Sequence, residues 1–130
     1  MRLLLDTCTF LWIVFDKPDL SAPARAAYLD PDNEVFLSAV SAWEITVRHR
    51  LGKLPLAEPP KQFVPRFRKA HGISPLPLDE DAVLQDATLP GLHRDPFDRL
   101  LMCQAIAHGL ILLTPDPVIS QYPVRVLWSS

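Results

Sequence analysis

"DPFDRLLMCQAIAHGLILLT", Asp95 to Thr114, is the stretch whose reading decides the fold. Asp95 is suited to cap a helix, Pro96 stands at the first helical position, where its missing N–H costs nothing, and Gly109 follows the last residue of the periodic apolar pattern. The spacing thus predicts a helix that ends at Gly109. It runs at once into "LILLT", Leu110 to Thr114, a continuous apolar run that reads as a strand buried on both faces. A helix feeding such a strand is the repeating unit of an α/β domain on a parallel sheet.

Working outward, "RLLLD" (Arg2 to Asp6) and "EVFLS" (Glu34 to Ser38) are two further strands, with "TFLWIVF" and "LSAPARAAYLD" as helices between them and Ser21 as an N-cap. "SAWEITVRHRLGKL" has a capping-box spacing, Ser41 to Glu44, and stops at Gly52. "PPKQFVPRFRKAHG" reads as a helix that Pro65 should kink or restart, and Gly72 ends it. "ISPLPLD" suits an edge strand or a connection, "DEDAVLQDATL" a short amphipathic helix, "PDPVISQY" one or two helical turns, and "VRVLW" (Val124 to Trp128) a last strand. The expectation is a single three-layer α/β/α domain over residues 1–130, on a mainly parallel central sheet of four or five strands, with no linker or internal repeat.

Composition narrows the function. With 48% hydrophobic and 22% charged residues the chain is globular. A formal net charge of -2 means that its overall field does not draw in a polyanion, so any nucleic-acid binding needs local basic patches or bridging cations. Cys8 and Cys103 lie in apolar surroundings without metal-type spacing and read as reduced thiols of a cytoplasmic protein. Asp6 interrupts the apolar N-terminus too early for a signal peptide, and no run reaches the length of a membrane span.

The informative residues are acidic. In open α/β sheets, sites form outside the carboxyl ends of the strands. Asp6 ends the first strand, Glu44 lies early in the helix after the second, Asp98 lies in the first turn of the helix feeding "LILLT", and Asp116 follows that strand by two residues. Each has an ordinary explanation in helix capping or the helix dipole, save Asp6, which follows three leucines with no lysine or arginine nearby in sequence. Burying an unpaired carboxylate costs several kcal/mol. Grouped carboxylates without matching bases imply Mg²⁺ or Mn²⁺, hard cations that prefer oxygen ligands. Glycine-rich phosphate loops and nucleophile elbows are absent from the sequence. No lysine follows Lys69, as a receiver-type phosphoacceptor would need, and Cys8 stands where a haloacid-dehalogenase-type phosphatase would have its second aspartate.

"LLLDTCTFLW", "SAVSAWEI", "HRDPFDRLLMCQAI" and "LLTPDPVISQY", in this order and spacing, resemble the PIN-domain ribonucleases, and more narrowly the VapC toxins of toxin-antitoxin pairs. The resemblance spans nearly the whole chain. It implies a Mg²⁺- or Mn²⁺-dependent endoribonuclease whose four acidic positions fall on Asp6, Glu44, Asp98 and Asp116, with Thr114 as the hydroxyl beside the last. Asp95 and Asp98 compete for the third role, with Asp98 the preferred ligand and Asp95 its cap. Cys8 departs from the polar residue that relatives often have there. The resemblance further implies an RNA substrate, a cognate antitoxin whose tail sets a basic side chain in the acidic pocket, and a homodimer, for which "TFLWIVF" or the region of Arg66 are candidate surfaces.

Arg48, Arg50 and Lys53, then Arg66, Arg68 and Lys69, then Arg94 and Arg99, are the basic groups available to steer RNA, although a solvated helix face explains the first two groups equally well and Arg99 can pair with a neighbouring acid. Of His49, His71, His93 and His108, none has ligand spacing and only His93 borders the acidic motif. Trp12, Trp43 and Trp128, each in an apolar stretch, read as core or interface residues rather than base-stacking platforms. The alternative to an enzyme is a catalytically inactive PIN-like module that binds RNA or protein.

Overall fold

A computed structural model describes residues 1–128; residues 129 and 130, at the end of the expected domain, lie outside the described residues. Five strands, β1 (Arg2–Leu5), β2 (Glu34–Ser38), β3 (Ser74–Leu76), β4 (Ile111–Leu113) and β5 (Val126–Leu127), form one sheet in the order β3-β2-β1-β4-β5, and every neighbouring pair is parallel. The helices are α1 (Thr7–Val14), α2 (Ala22–Leu29), α3 (Ala39–Arg50), α4 (Pro60–Ala70), α5 (Glu80–Leu84) and α6 (Pro96–His108). After β1 the chain builds outward to one edge through β2 and β3, then returns to the other side of β1 for β4. The order reverses there, so a crevice opens at the carboxyl ends of β1 and β4.

Strand periodicity explains the layers. Successive side chains point to opposite faces, and the leucines of β1 divide accordingly. Leu3 and Leu5 join Phe10, Val35, Leu37, Ile45, Phe63 and Leu113 in the core under α1 to α4, whereas Leu4 joins Leu101, Met102 and Leu112 under α6. Leu3, Leu4, Leu5, Leu112 and Leu113 are completely buried. The uninterrupted apolar pattern follows from that double cover.

The ends of elements differ from the sequence reading in instructive ways. Asp95 caps α6, accepting from the N–H groups of Phe97 and Asp98, and Gly109 closes it at φ 65°, a left-handed conformation that glycine adopts without strain. Pro65 does not restart α4, which runs unbroken from Pro60 to Ala70 because Phe63 and Val64 anchor it in the core. "PDPVISQY" contributes a single 3-10 turn, Ile119–Gln121, in place of an α-helix. Within "TFLWIVF", one of the two candidate dimer surfaces, Phe10, Leu11 and Ile13 are buried against the sheet, Trp12 and Val14 are half-buried, and Phe15 is 43% exposed.

The capping box expected at Ser41 is also not formed. α3 begins three residues earlier, capped by Ser38, whose hydroxyl oxygen accepts from Val40 N–H at 2.9 Å. The last residue of β2 thus doubles as the cap, and Ser41 lies inside the helix, fully buried, accepting from the Thr7 hydroxyl at 3.0 Å. Ser38 also donates to Gln104 Oε1, while Gln104 Nε2 donates to the Pro77 carbonyl at 3.0 Å, tying α6 to the carboxyl edge of the sheet. Ser38→Ala removes the cap and strands a buried amide oxygen, so it should destabilise the fold by about 2–3 kcal/mol in chemical denaturation. A loss below about 1 kcal/mol would mean that water replaces both contacts.

Candidate functional site

One step beyond the last paired residues of β1 and β4, Leu5 and Leu113, stand Asp6 and Thr114, beside Ser38 at the end of β2. All three are buried. The same parallel register that lines up the leucines therefore lines up polar side chains at the crevice floor.

Contrary to the sequence reading, which left Asp6 without a capping role, Asp6 caps α1, and it is 5% exposed. Its Oδ1 accepts from Thr9 N–H at 2.8 Å and from the Cys8 thiol at 3.2 Å, and its Oδ2 accepts from the Thr114 hydroxyl. Burial raises its pKa above the usual carboxylate range, and hydrogen bonds from Thr114, Thr9 and Cys8 oppose that rise without cancelling it. Cys8, which departs from the resemblance, thus acts as a neutral donor: burial first, then the Asp6 carboxylate, push its thiol pKa up and keep it protonated. Thr114 Oγ1 also accepts from Asp116 N–H at 3.2 Å, so one hydroxyl links Asp6 to the turn carrying Asp116.

Asp98, on the first turn of α6, is pushed up to a pKa of about 7. Desolvation is the main cause, the charges of Asp95, Asp6 and Glu44 add to it, and His93 opposes it. Glu44, on α3, is raised as well, by burial first and then by Asp95 and Asp6, against the lowering effects of Thr7 and Arg48. These mutual influences bring Asp6, Glu44, Asp95 and Asp98 into one electrostatic unit. Since Ser38 and not Ser41 caps α3, capping does not account for Glu44.

Asp116 meets the cluster through a residue that sequence reasoning set aside. His93 Nε2 lies 2.7 Å from Asp116 Oδ2 and 3.2 Å from Asp98 Oδ2, and one ligand atom from each of His93, Asp98 and Asp116 falls within 4.8 Å of the others. The Asp95 N–H points at His93 Nδ1 at 3.2 Å, which makes Nδ1 the acceptor and leaves the proton on Nε2. In this arrangement His93 is a donor that holds two carboxylates together, and Asp116 Oδ1 accepts in addition from Val118 N–H at 2.8 Å. The only sequence signal for His93 was its position two residues before Asp95, because its partner Asp116 is 23 residues away.

Arg99 points elsewhere. Its guanidinium donates to Asp86 Oδ1 at 2.7 Å and to the carbonyls of Asp86, Leu89, Pro90 and His93, and Tyr122 Oη donates to the Pro90 carbonyl while accepting from His93 N–H. Arg99 and Tyr122 thereby pin the segment that presents His93, and this guanidinium is committed to the fold. Arg50 and Arg94 are exposed, Arg48 is half-buried near Glu44, and Arg66 pairs with Glu58 at 3.1 Å. Trp12 packs against Trp128, as expected of core residues, but Trp43 is 54% exposed. Both cysteines are free thiols, and among the described residues no helix is long and apolar enough to cross a membrane.

This chain is similar to several known proteins. It is 47% identical over 66 residues to Ribonuclease VapC16 of Mycobacterium tuberculosis (strain ATCC 25618 / H37Rv), an alignment covering 48% of this chain and 47% of that protein, so the match spans about half the length of each. In structure it resembles a chain of VapBC2 from Rickettsia felis bound to a DNA fragment from their promoter, with a TM-score of 0.75 at 18% identity over 99% of this chain and 100% of that one. It also resembles a chain of a toxin-antitoxin complex from Klebsiella pneumoniae, with a TM-score of 0.60 at 16% identity over 96% of this chain and 95% of that one. At such identities the structural likeness speaks to the fold. The PIN domain family model matches residues 3–124, nearly the whole described chain, and the strand order and acidic crevice above accord with that match. The chain belongs to the PIN domain family.

Proposed function

We propose that this chain is an endoribonuclease dependent on Mg²⁺ or Mn²⁺, acting as the toxin of a toxin-antitoxin pair. The observation that carries this reading is the gathering of Asp6, Glu44, Asp98 and Asp116 at the carboxyl edge of β1 and β4, where burial is the main cause that raises the carboxyl pKa values of Asp6, Glu44 and Asp98. The donor set fits a hard divalent cation, because the available ligand atoms are carboxylate oxygens. Asp98, Asp116 and Asp6 would hold the ion, and Glu44 would hold a water or a second ion.

When bound, the cation shields the phosphate charge and lowers the pKa of water. The remaining work falls to the chain. Thr114 orients Asp6 toward the crevice, Asp95 fixes the first turn of α6 and hence the direction of Asp98, and His93 fixes the spacing of Asp98 and Asp116. Hydrolysis adds water across a P–O bond, and the raised pKa of Asp98, about 7 without a cation, belongs to a carboxyl that a bound cation would return to its charged form. Arg48, Arg50 and Arg94 are positioned to attract the RNA backbone once the cluster is neutralised.

An antitoxin tail carrying an arginine would satisfy the same carboxylates by forked hydrogen bonds, which supports inhibition at this crevice. The VapBC name of a similar structure and the toxin-antitoxin complex from Klebsiella pneumoniae are consistent with such a partner. Incubation of the purified chain with RNA in Mg²⁺, in Mn²⁺ and in chelator tests the enzyme reading. Cleavage is expected with either cation and none in chelator; RNA left intact under all three conditions would reduce the chain to a binding module.

A further inference from the structure

Resting on the ribonuclease reading above, we propose that Trp43, backed by Phe97, is the platform on which an unpaired base of the RNA stacks beside the acidic crevice. Trp43 immediately precedes Glu44 on α3, and Phe97 immediately precedes Asp98 on α6. Their rings meet edge to face, with centroids 4.9 Å apart and planes at 73°. Phe97 is half-buried and packs against the core beneath α6, so it is a fixed support. Trp43 remains 54% exposed, the largest aromatic side chain among the exposed hydrophobic residues described.

An exposed indole held by a ring anchored in the core is an unusual use of a tryptophan, which ordinarily buries its large apolar surface. The edge-on contact braces the indole while more than half of its surface stays accessible. Base stacking needs such a surface and is tolerant of sequence, because every base has a flat face. The platform's position, joined to two of the four carboxylates through adjacent residues on two different helices, sets a stacked base next to the crevice, and Arg48, one turn along α3 from Glu44, is available to the attached phosphate. A single-stranded segment presents a base in this way, whereas a duplex keeps its bases paired and stacked.

The inference is tested by Trp43→Ala and Trp43→Phe. Trp43 is on the exposed side of a helix, where alanine is a favourable residue. Binding is read with short single-stranded RNAs of random sequence and with abasic oligomers of equal length, in Ca²⁺ to neutralise the carboxylates, alongside size-exclusion chromatography. Trp43→Ala should weaken RNA binding about tenfold and leave abasic binding unchanged, while Trp43→Phe keeps most of the affinity. Unchanged RNA binding in Trp43→Ala overturns the platform, as does an equal loss for abasic oligomers. Conversion of a dimer to monomers by Trp43→Ala also overturns it, showing that a second copy covers the ring. A wild-type chain that binds RNA through Trp43 but leaves it uncut in Mg²⁺ and Mn²⁺ sinks the ribonuclease reading while upholding the platform.

Discussion

Asp6→Asn should lower RNA cleavage by on the order of a thousandfold while leaving the chain folded and no less stable. Asp6 performs two separable tasks. As the cap of α1 it needs an acceptor for Thr9 N–H, which the asparagine carbonyl oxygen supplies. As a member of the acidic cluster it needs its charge, which asparagine lacks. Removing that charge relieves repulsion on Glu44 and Asp98, both of which are raised in part by Asp6. Cleavage assays in Mg²⁺ and thermal unfolding in chelator separate the two tasks. Loss of activity accompanied by unfolding would make Asp6 a structural residue, and retained activity would remove it from the site.

The second large effect is a dependence of stability on pH in the cation-free chain. The carboxyl of Asp98 has a pKa of about 7 in the folded state against 3.8 for the unperturbed group. The folded state therefore binds this proton more tightly than the unfolded state. Stability from Asp98 is fully present below about pH 4 and is lost as the pH rises to about 7. After allowance for partial exposure the change is on the order of 3 kcal/mol, and the raised values of Asp6 and Glu44 act in the same direction.

Denaturant unfolding in chelator should accordingly show a less stable protein at about pH 8 than at about pH 5. Mn²⁺ should restore stability at the higher pH by binding the folded state, and its binding near neutral pH should release a proton. Asp98→Asn should flatten the pH dependence. A cation-free chain equally stable at both pH values would show that the carboxyls are compensated by groups other than a metal, and the case for a cation site would fail with it.

The architecture was legible because its signals are local. Pro96 and Gly109 bracket α6 within one stretch, and the unbroken apolar runs of "RLLL" and "LILL" announce strands covered on both faces. β2 matches its expected range, Glu34–Ser38. Signals failed where two elements share a residue. Ser38 serves both as the end of β2 and as the cap of α3, whereas the sequence offered Ser41 and Glu44 at an equally good spacing. For Trp43, read as a core or interface residue, the apolar neighbours did not distinguish the two, and α3 turns that position outward.

What the sequence alone determined is the parallel α/β fold and the set of acidic residues at the ends of its elements, because helix caps, apolar period and strand length act over a few residues. Tertiary structure alone decided which side chains meet: His93 between Asp98 and Asp116, Thr114 on Asp6 across 108 residues, and Arg99 drawn away from the acids into the Asp86–His93 segment. The physical reason is that hydrogen bonds and carboxyl repulsion act over a few ångströms, and only the reversal of strand order around β1 brings such distant residues within that range.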